Sequence, residues 1–410
     1  MLICIMGKRV LIIGLVWPEP NSSAAGWRML ELLKCFLAYG YDVHFACAAG
    51  KSEYSFPLTD LQVSEHNILL NDSSFDSFIA ELHPDIVLFD RFMVEEQYSW
   101  RVKSACPNAL LILDTEDLHS IRLARQQAHK SNKELSEDSY ANAHSLREIA
   151  AILRCDLSLI ISSYEMEVLD RVFRVAPELL QFLPFHITAE QRENPGFQDR
   201  ANFAFIGNFI HEPNWQTVLA LKKIWPSIRK QLPAAELHVY GAYPSQKVWE
   251  LNKPKDGFII KGRAENAIET LAQYRVLLAP IPFGAGLKGK FIDALRAGTP
   301  SITTTIGAEG FSNNELWNGY ITDVDEDFVA NAVQLASHES DWQQASEKGE
   351  QLLEALNSEA LFSEFMSTIE KLQANLDAYR RQNITGQILW SNQFSATKYM
   401  SLWIEAKNKG

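Results

Sequence analysis

RVLLAPIPFGAGLKGKFIDALRAGTPSIT, residues 275–303, is the stretch on which the fold turns. Arg275–Pro280 reads as a short buried strand, rich in Val and Leu. Pro282, Gly284 and Gly286 then make a turn, and a helix is expected over Leu287–Ala297. Leu287, Phe291, Ala294 and Leu295 form its core-facing stripe, and Gly286, Gly289, Lys290, Asp293 and Ala297 form the adjoining one. Ser301–Thr304 is the next strand. Strand, glycine turn, helix and strand in this order imply a parallel sheet covered by helices.

The same alternation extends upstream. Asn202–Gly207, Glu236–Tyr240 and Gly257–Lys261 read as strands, with a helix from about Pro213. A polar, Pro-containing break covers 184–200. Before it the alternation runs separately, through strands Arg9–Val16, Asp42–Ala48, Asp85–Phe89, Ala109–Leu113 and Leu157–Ile161. Helices are expected from about Gly26, over Ser73–His83 and over Ser139–Arg154. The chain turns mostly helical after about residue 325. Two doubly wound parallel α/β domains with a helical tail are therefore expected, over 1–190 and 198–375, with 376–410 packing back on the first.

Composition narrows the function classes. The 410 residues are 47% hydrophobic and 22% charged, which describes a globular chain with sizeable cores. A net charge of -13 argues against a nucleic-acid partner. Cys4, Cys35, Cys47, Cys106 and Cys155 are scattered and show no paired spacing. That excludes a disulfide framework or structural zinc, and points to a reducing, cytoplasmic compartment. No apolar run reaches the length of a membrane-spanning helix. Residues 391–410 hold Phe394, Tyr399, Met400, Leu402, Trp403 and Ile404 with Lys398, Lys407 and Lys409. They predict an amphipathic last helix that packs on the first domain, with peripheral contact at the inner face of the membrane as the alternative.

Ligands of open parallel sheets bind beyond the carboxyl ends of the strands. Three such ends carry unusual residues. At Gly284–Asp293, small residues admit a ligand to the backbone, and the helix start offers N–H groups to phosphates. Lys290 adds a full charge, and Asp293, one turn deeper, can accept from ribose hydroxyls. The plainer reading is a packing turn with solvated lysines. At Leu113–His119, followed by Arg122 and Arg125, His119 can orient the transferred sugar, and Asp117 reads as a helix N-cap. At Phe205–Asn214, Gly207 and Asn208 follow a strand and would line a cleft, while Pro213 marks a helix start. Asp323-Val-Asp325 imitates a metal-binding motif, but its position makes Asp325 an expected N-cap. His44 reads as structural.

At these residues the chain resembles the GT4-type retaining glycosyltransferases of bacteria, and within them the GaGxKgK subgroup. The similar stretches are Asn202–Ala220 and Phe283–Phe311, supported by Asp114–Arg125 and Arg147–Leu169. The resemblance implies a GT-B fold of two Rossmann-like domains, the first for the acceptor and the second for a nucleotide-diphospho-sugar donor. It also implies retention at the anomeric carbon, no required metal or other cofactor, and a role in polysaccharide or glycoconjugate synthesis. The acceptor would be a sugar, a lipid-linked group or a protein. Of the two glutamates that many relatives space seven residues apart, the second matches Asp293 and the first matches Ala285. The donor is expected against Gly207, Asn208, Gly284, Ala285, Gly286, Leu287, Lys288, Lys290, Asp293 and Glu309, with His119 and Lys290 as catalytic candidates. A nucleotide-sugar epimerase of the same architecture and a non-catalytic sugar- or nucleotide-binding protein are the alternatives.

Overall fold

A computed structural model of the chain describes residues 7–188, 193–311 and 314–409. Cys4 and part of the 184–200 break fall outside the described residues. The first sheet is built from β1 (Arg9–Gly14), β2 (Asp42–Cys47), β3 (Ser64–Asn67), β4 (Ile86–Asp90), β5 (Leu110–Asp114), β6 (Leu157–Ile160) and β7 (Leu180–Phe182). Their order is β3-β2-β1-β4-β5-β6-β7, and every pairing is parallel. Helices α1 (Ala24–Ala38), α2 (Ser74–Leu82), α3 (Phe92–Ala105), α4 (His119–Ser131), α5 (Ala143–Arg154) and α6 (Ser163–Arg171) connect them. β4, β5 and β6 are buried along their whole length, as strands covered on both faces must be. The helix expected over Ser139–Arg154 is broken: Asn142 caps α5 from outside, accepting from the Ser145 N–H while Ser145 returns its hydroxyl to the Asn142 backbone.

The second sheet has the order β10-β9-β8-β11-β12-β13, again all parallel. Its strands are β8 (Ala201–Ile206), β9 (Leu237–Tyr240), β10 (Phe258–Gly262), β11 (Tyr274–Ala279), β12 (Ser301–Thr303) and β13 (Gly319–Ile321). Its helices are α7 (Glu212–Gln231), α8 (Gln246–Trp249), α9 (Ala267–Leu271), α10 (Gly289–Arg296), α11 (Thr305–Ala308), α12 (Asp325–Ser337) and α13 (Glu339–Ala355). Strand order reverses between β1 and β4 in one sheet and between β8 and β11 in the other. These two switch points are where open parallel sheets leave a crevice for a ligand.

The chain returns to the first domain earlier than residue 376. Phe362, Phe365, Met366, Ile369 and Leu372 of α14 (Glu359–Ala374) join the core formed by β1, α1 and β4. α15 (Leu376–Gln382) follows, and its Arg380 pairs with Asp156 at 2.7 Å. α16 (Ile384–Lys409) then crosses α5 and α3, fixed by Trp390 Nε1 donating to the Arg154 carbonyl at 3.0 Å.

One buried ion pair ties the first domain together. Arg28 of α1 donates to both Asp114 carboxylate oxygens at the end of β5, and to the carbonyls of Leu183 and Pro184 where the chain leaves the sheet. The two side chains are 1% and 0% exposed. Removing one partner of such a pair strands the other charge. Asp114→Ala should therefore lower the unfolding free energy by about 3–5 kcal/mol, read from denaturant melts.

Candidate active site

The two switch points face each other, and the elements that end there meet closely. On the second-domain side is the turn from Gly284 to Lys288. Gly286 has a φ of +62°, so it precedes the helix, which begins at Gly289. The expected stripe thus shortens to Gly289, Lys290 and Asp293, with Lys288 at the cap. The left-handed turn lets the chain fold back before α10, a conformation that favours glycine. A Cβ at Gly286 would also come 3.0 Å from the Asp117 side chain, and one at Gly289 would come 2.7 Å from that of Ala24. Both glycines are therefore needed for the approach of the first domain.

Four hydrogen bonds across the interface, from Glu165 and Arg125, fix that approach. Glu165 of α6 accepts from the Gly286 N–H and the Leu118 N–H, both at 2.9 Å. Arg125 of α4 donates to the Gly284 carbonyl at 2.8 Å and grips both Glu309 oxygens at 2.7 Å. On the far side of the cleft, Asn208 and Arg263 donate to Ser22 at 3.3 and 3.1 Å, and Tyr243 donates to Glu19 at 2.8 Å.

Two expected helix caps, Asp117 and Asp325, need correction. Asp117 does not cap α4. Arg122 draws it away at 2.7 Å, His119 lies 3.4 Å from it, and the Glu148 carboxylate takes the His119 and Ser120 N–H groups instead. A neighbouring helix supplies the acid that the local sequence was expected to supply. Leu287 points into the second core, so only its backbone faces the cleft, and Ala285 packs on the first-domain core. Glu309 is spent on Arg125. Asp325 lies one residue inside α12 and pairs with Lys223, while Asp323 accepts from Thr305.

Lys290 lies in the first turn of α10, and its ammonium is already engaged. Its ammonium donates to Asn214 at 2.6 Å and sits 4.7 Å over the Phe205 ring. Asn214 in turn donates to the Asn208 carbonyl at 2.8 Å, and a Cβ at Gly207 would lie 2.7 Å from its side chain. Gly207, Asn208 and Lys290 thus converge through a residue that sequence reading passed over, because Asn214 follows Pro213 and looked only like part of a helix start. Lys288 folds onto the Gly286 carbonyl at 2.9 Å. Asp293 is half-buried and makes no side-chain hydrogen bond among the described residues.

The cleft shifts its titratable groups in opposite senses, and burial is the main cause throughout. Lys290 is lowered to about 7 and Lys288 to about 8. Asp293 is raised to about 6, and Glu165 and Glu116 to about 8. His119 is lowered to about 4, so its ring is neutral at pH 7. Residues that sequence reading left out gather at the ends of β4 and β5. Arg91 and Glu116 hold φ values of +72° and +63°, and Asp90 Oδ1, Glu116 Oε1 and Glu165 Oε2 are buried without a hydrogen-bond partner. Strained backbone and unsatisfied polar atoms of this kind concentrate where proteins bind or react.

Two facing Rossmann-like domains with paired switch points define the GT-B fold, and solved structures share it. S. aureus TarM, in a complex with UDP, fondaparinux and a GlcNAc-glycerol, matches with a TM-score of 0.69 at 9% identity, over 88% of this chain and 99% of that one. Anabaena HepE in complex with UDP matches with 0.65 at 11% identity, over 89% and 100%. WaaG, a glycosyltransferase of lipopolysaccharide biosynthesis, matches with 0.61 at 13%, over 88% and 99%. Residues 200–338, most of the second domain, match the family described as Glycosyl transferases group 1. Among curated proteins the sequence matches none.

The Arg125 clamp joins the domains through three hydrogen bonds. Arg125→Met removes its contacts to Glu309 and Gly284 together and leaves the Glu309 charge unpaired. The variant should open, with a larger radius of gyration in solution scattering than the parent chain. An unchanged scattering profile would mean that the remaining contacts, among them Glu165–Gly286 and Tyr243–Glu19, suffice to hold the domains together.

Proposed function

We propose that the protein transfers a sugar from a nucleotide-diphospho-sugar to an acceptor hydroxyl, with retention, in the synthesis of a polysaccharide or glycoconjugate. One observation carries this reading: Lys290, Asp293 and the start of α10 stand together at the β8/β11 switch point, directly facing the β1/β4 switch point of the other domain. N–H groups at a helix start and a lysine are what a departing diphosphate needs as its charge grows. Asp293, unpaired and one turn deeper, is placed to accept from ribose. His119, neutral and opposite, would hold the sugar by hydrogen bonding. UDP in the TarM and HepE complexes supports a uridine diphosphate donor here.

In this reading Lys290 exchanges Asn214 for the diphosphate when donor binds. A charge-assisted hydrogen bond contributes about 1.5–3 kcal/mol, so Lys290→Met should weaken UDP binding by about 10- to 150-fold in calorimetry. Asp293→Asn should weaken uridine as well as UDP. The free-state Lys290 loses its proton above a pH of about 7. Binding needs the ammonium, so UDP affinity of the parent chain should fall as pH rises from 7 to 9, by up to about tenfold per unit. Lys290→Met should flatten that dependence. A parent chain whose affinity is level across this range would place the phosphate site away from Lys290.

Neutralisation of the diphosphate by Lys290, Lys288 and backbone N–H groups removes the need for a divalent ion. Transfer should then persist in excess EDTA. Loss of turnover that Mg²⁺ restores would overturn this part of the reading.

A further inference from the structure

α16 covers the first domain with one face and leaves another bare. Ser401 and Glu405 are buried beneath it, whereas Ile384, Ile388, Tyr399, Met400, Leu402 and Trp403 are between 38% and 67% exposed. At about 100° per residue, Ile384, Ile388, Tyr399, Leu402 and Trp403 fall within roughly 100° of one another, along about 28 Å of helix. This stripe is apolar at both ends, with Trp and Tyr at the carboxyl-terminal one.

Charge identifies what covers it. The protein as a whole carries -13. The described exposed residues of α16 include no acid and three lysines, Lys398, Lys407 and Lys409. The helical repeat sets Lys398 and Lys409 along one margin of the stripe and Lys407 along the other. Lys407 lies 5.4 Å over the Trp403 ring, so its stem shares the apolar surface. The single acid of the helix, Glu405, is turned inward to Arg101 at 3.5 Å and Lys409 at 2.5 Å. An apolar stripe with indole and phenol groups, edged by amines on both sides, matches a bilayer interface with anionic headgroups. A second copy of the chain would bring these lysines against their own kind. The face also reaches the cleft side of the first domain. Lys409 donates to Ser73 at 3.2 Å, and Ser73 ends the loop after β3 in which Leu69 and Leu70 are 59% and 49% exposed. Among the described residues no helix is long and apolar enough to cross a membrane.

We propose that α16 seats the protein on an anionic membrane surface, its apolar stripe in the interface and Lys398 and Lys407 among the headgroups. The test is sedimentation of the full chain with vesicles of phosphatidylcholine alone, or mixed with phosphatidylglycerol, in the absence of donor. Binding to the mixed vesicles only, weakened by salt, is the expected result. Lys398→Gln and Lys407→Gln should each reduce it by about fivefold. Trp403→Glu should abolish it at an unchanged melting temperature, and the lysine variants leave the apolar face intact should that substitution disturb folding. Equal recovery with and without vesicles would overturn the proposal. So would a parent chain that runs as a dimer and becomes monomeric on Trp403→Glu, because the stripe would then be a self-interface.

Discussion

The structure depends on one close approach, that of the turn before α10 to the first domain. Gly286 and Gly289 leave no room for a side chain, since Asp117 and Ala24 occupy that space. The polar groups of the turn are consequently taken out of water. Buried backbone groups must find partners, and the partners come from across the interface: Glu165 for the Gly286 N–H, Arg125 for the Gly284 carbonyl. The glycine turn before α10 is therefore also a point of contact between the domains. Whatever enters the cleft has to compete with, or build on, first-domain carboxylate and guanidinium groups.

That burial also explains the charge state of the cleft. In a low-dielectric crevice both ammonium and carboxyl groups move toward neutrality, and here they do so together. Lys290 and Lys288 fall while Asp293, Glu165 and Glu116 rise, with burial the leading cause in each. Asp117 is the exception, held down in the ionised form by Arg122 despite its burial. A dianionic ligand would restore the ammonium form of the lysines, so that binding and protonation are coupled.

Much of this was legible in the sequence, because the features that fix a doubly wound sheet are local. β11, its glycine turn, α10 and β12 appear within one uninterrupted stretch, and the expected strands of both halves lie within a residue or two of those found. The hydrophobic period announces them without help from the rest of the chain. What sequence reading missed is non-local. β3 (SEHN) and β7 (LQF) are short edge strands with no apolar alternation, and they exist because a neighbouring strand offers open hydrogen bonds. Glu148 and Glu165 look like ordinary helix acids, and only the fold brings them to the start of α4. Arg125 stood in the sequence as one of several basic residues after His119, and its role follows from Glu309, 184 positions away.

The positions of strain complete the argument. Arg91, directly after β4, and Glu116, two residues after β5, are single residues with positive φ. Nothing in the sheet demands them, since ordinary turns would carry the chain into α3 and toward α4. Both residues stand close to Asp90 and Asp114, and the Glu116 carboxyl is kept protonated near neutral pH by burial and by Asp114. A neutral carboxyl with an unpartnered oxygen can both donate and accept a hydrogen bond. Such a group is suited to a hydroxyl-bearing acceptor and ill-suited to a diphosphate. The second domain meanwhile presents lysines and N–H groups at the same depth. The two sides of the cleft thus differ in the groups they present, a buried neutral carboxyl on one and lysines on the other.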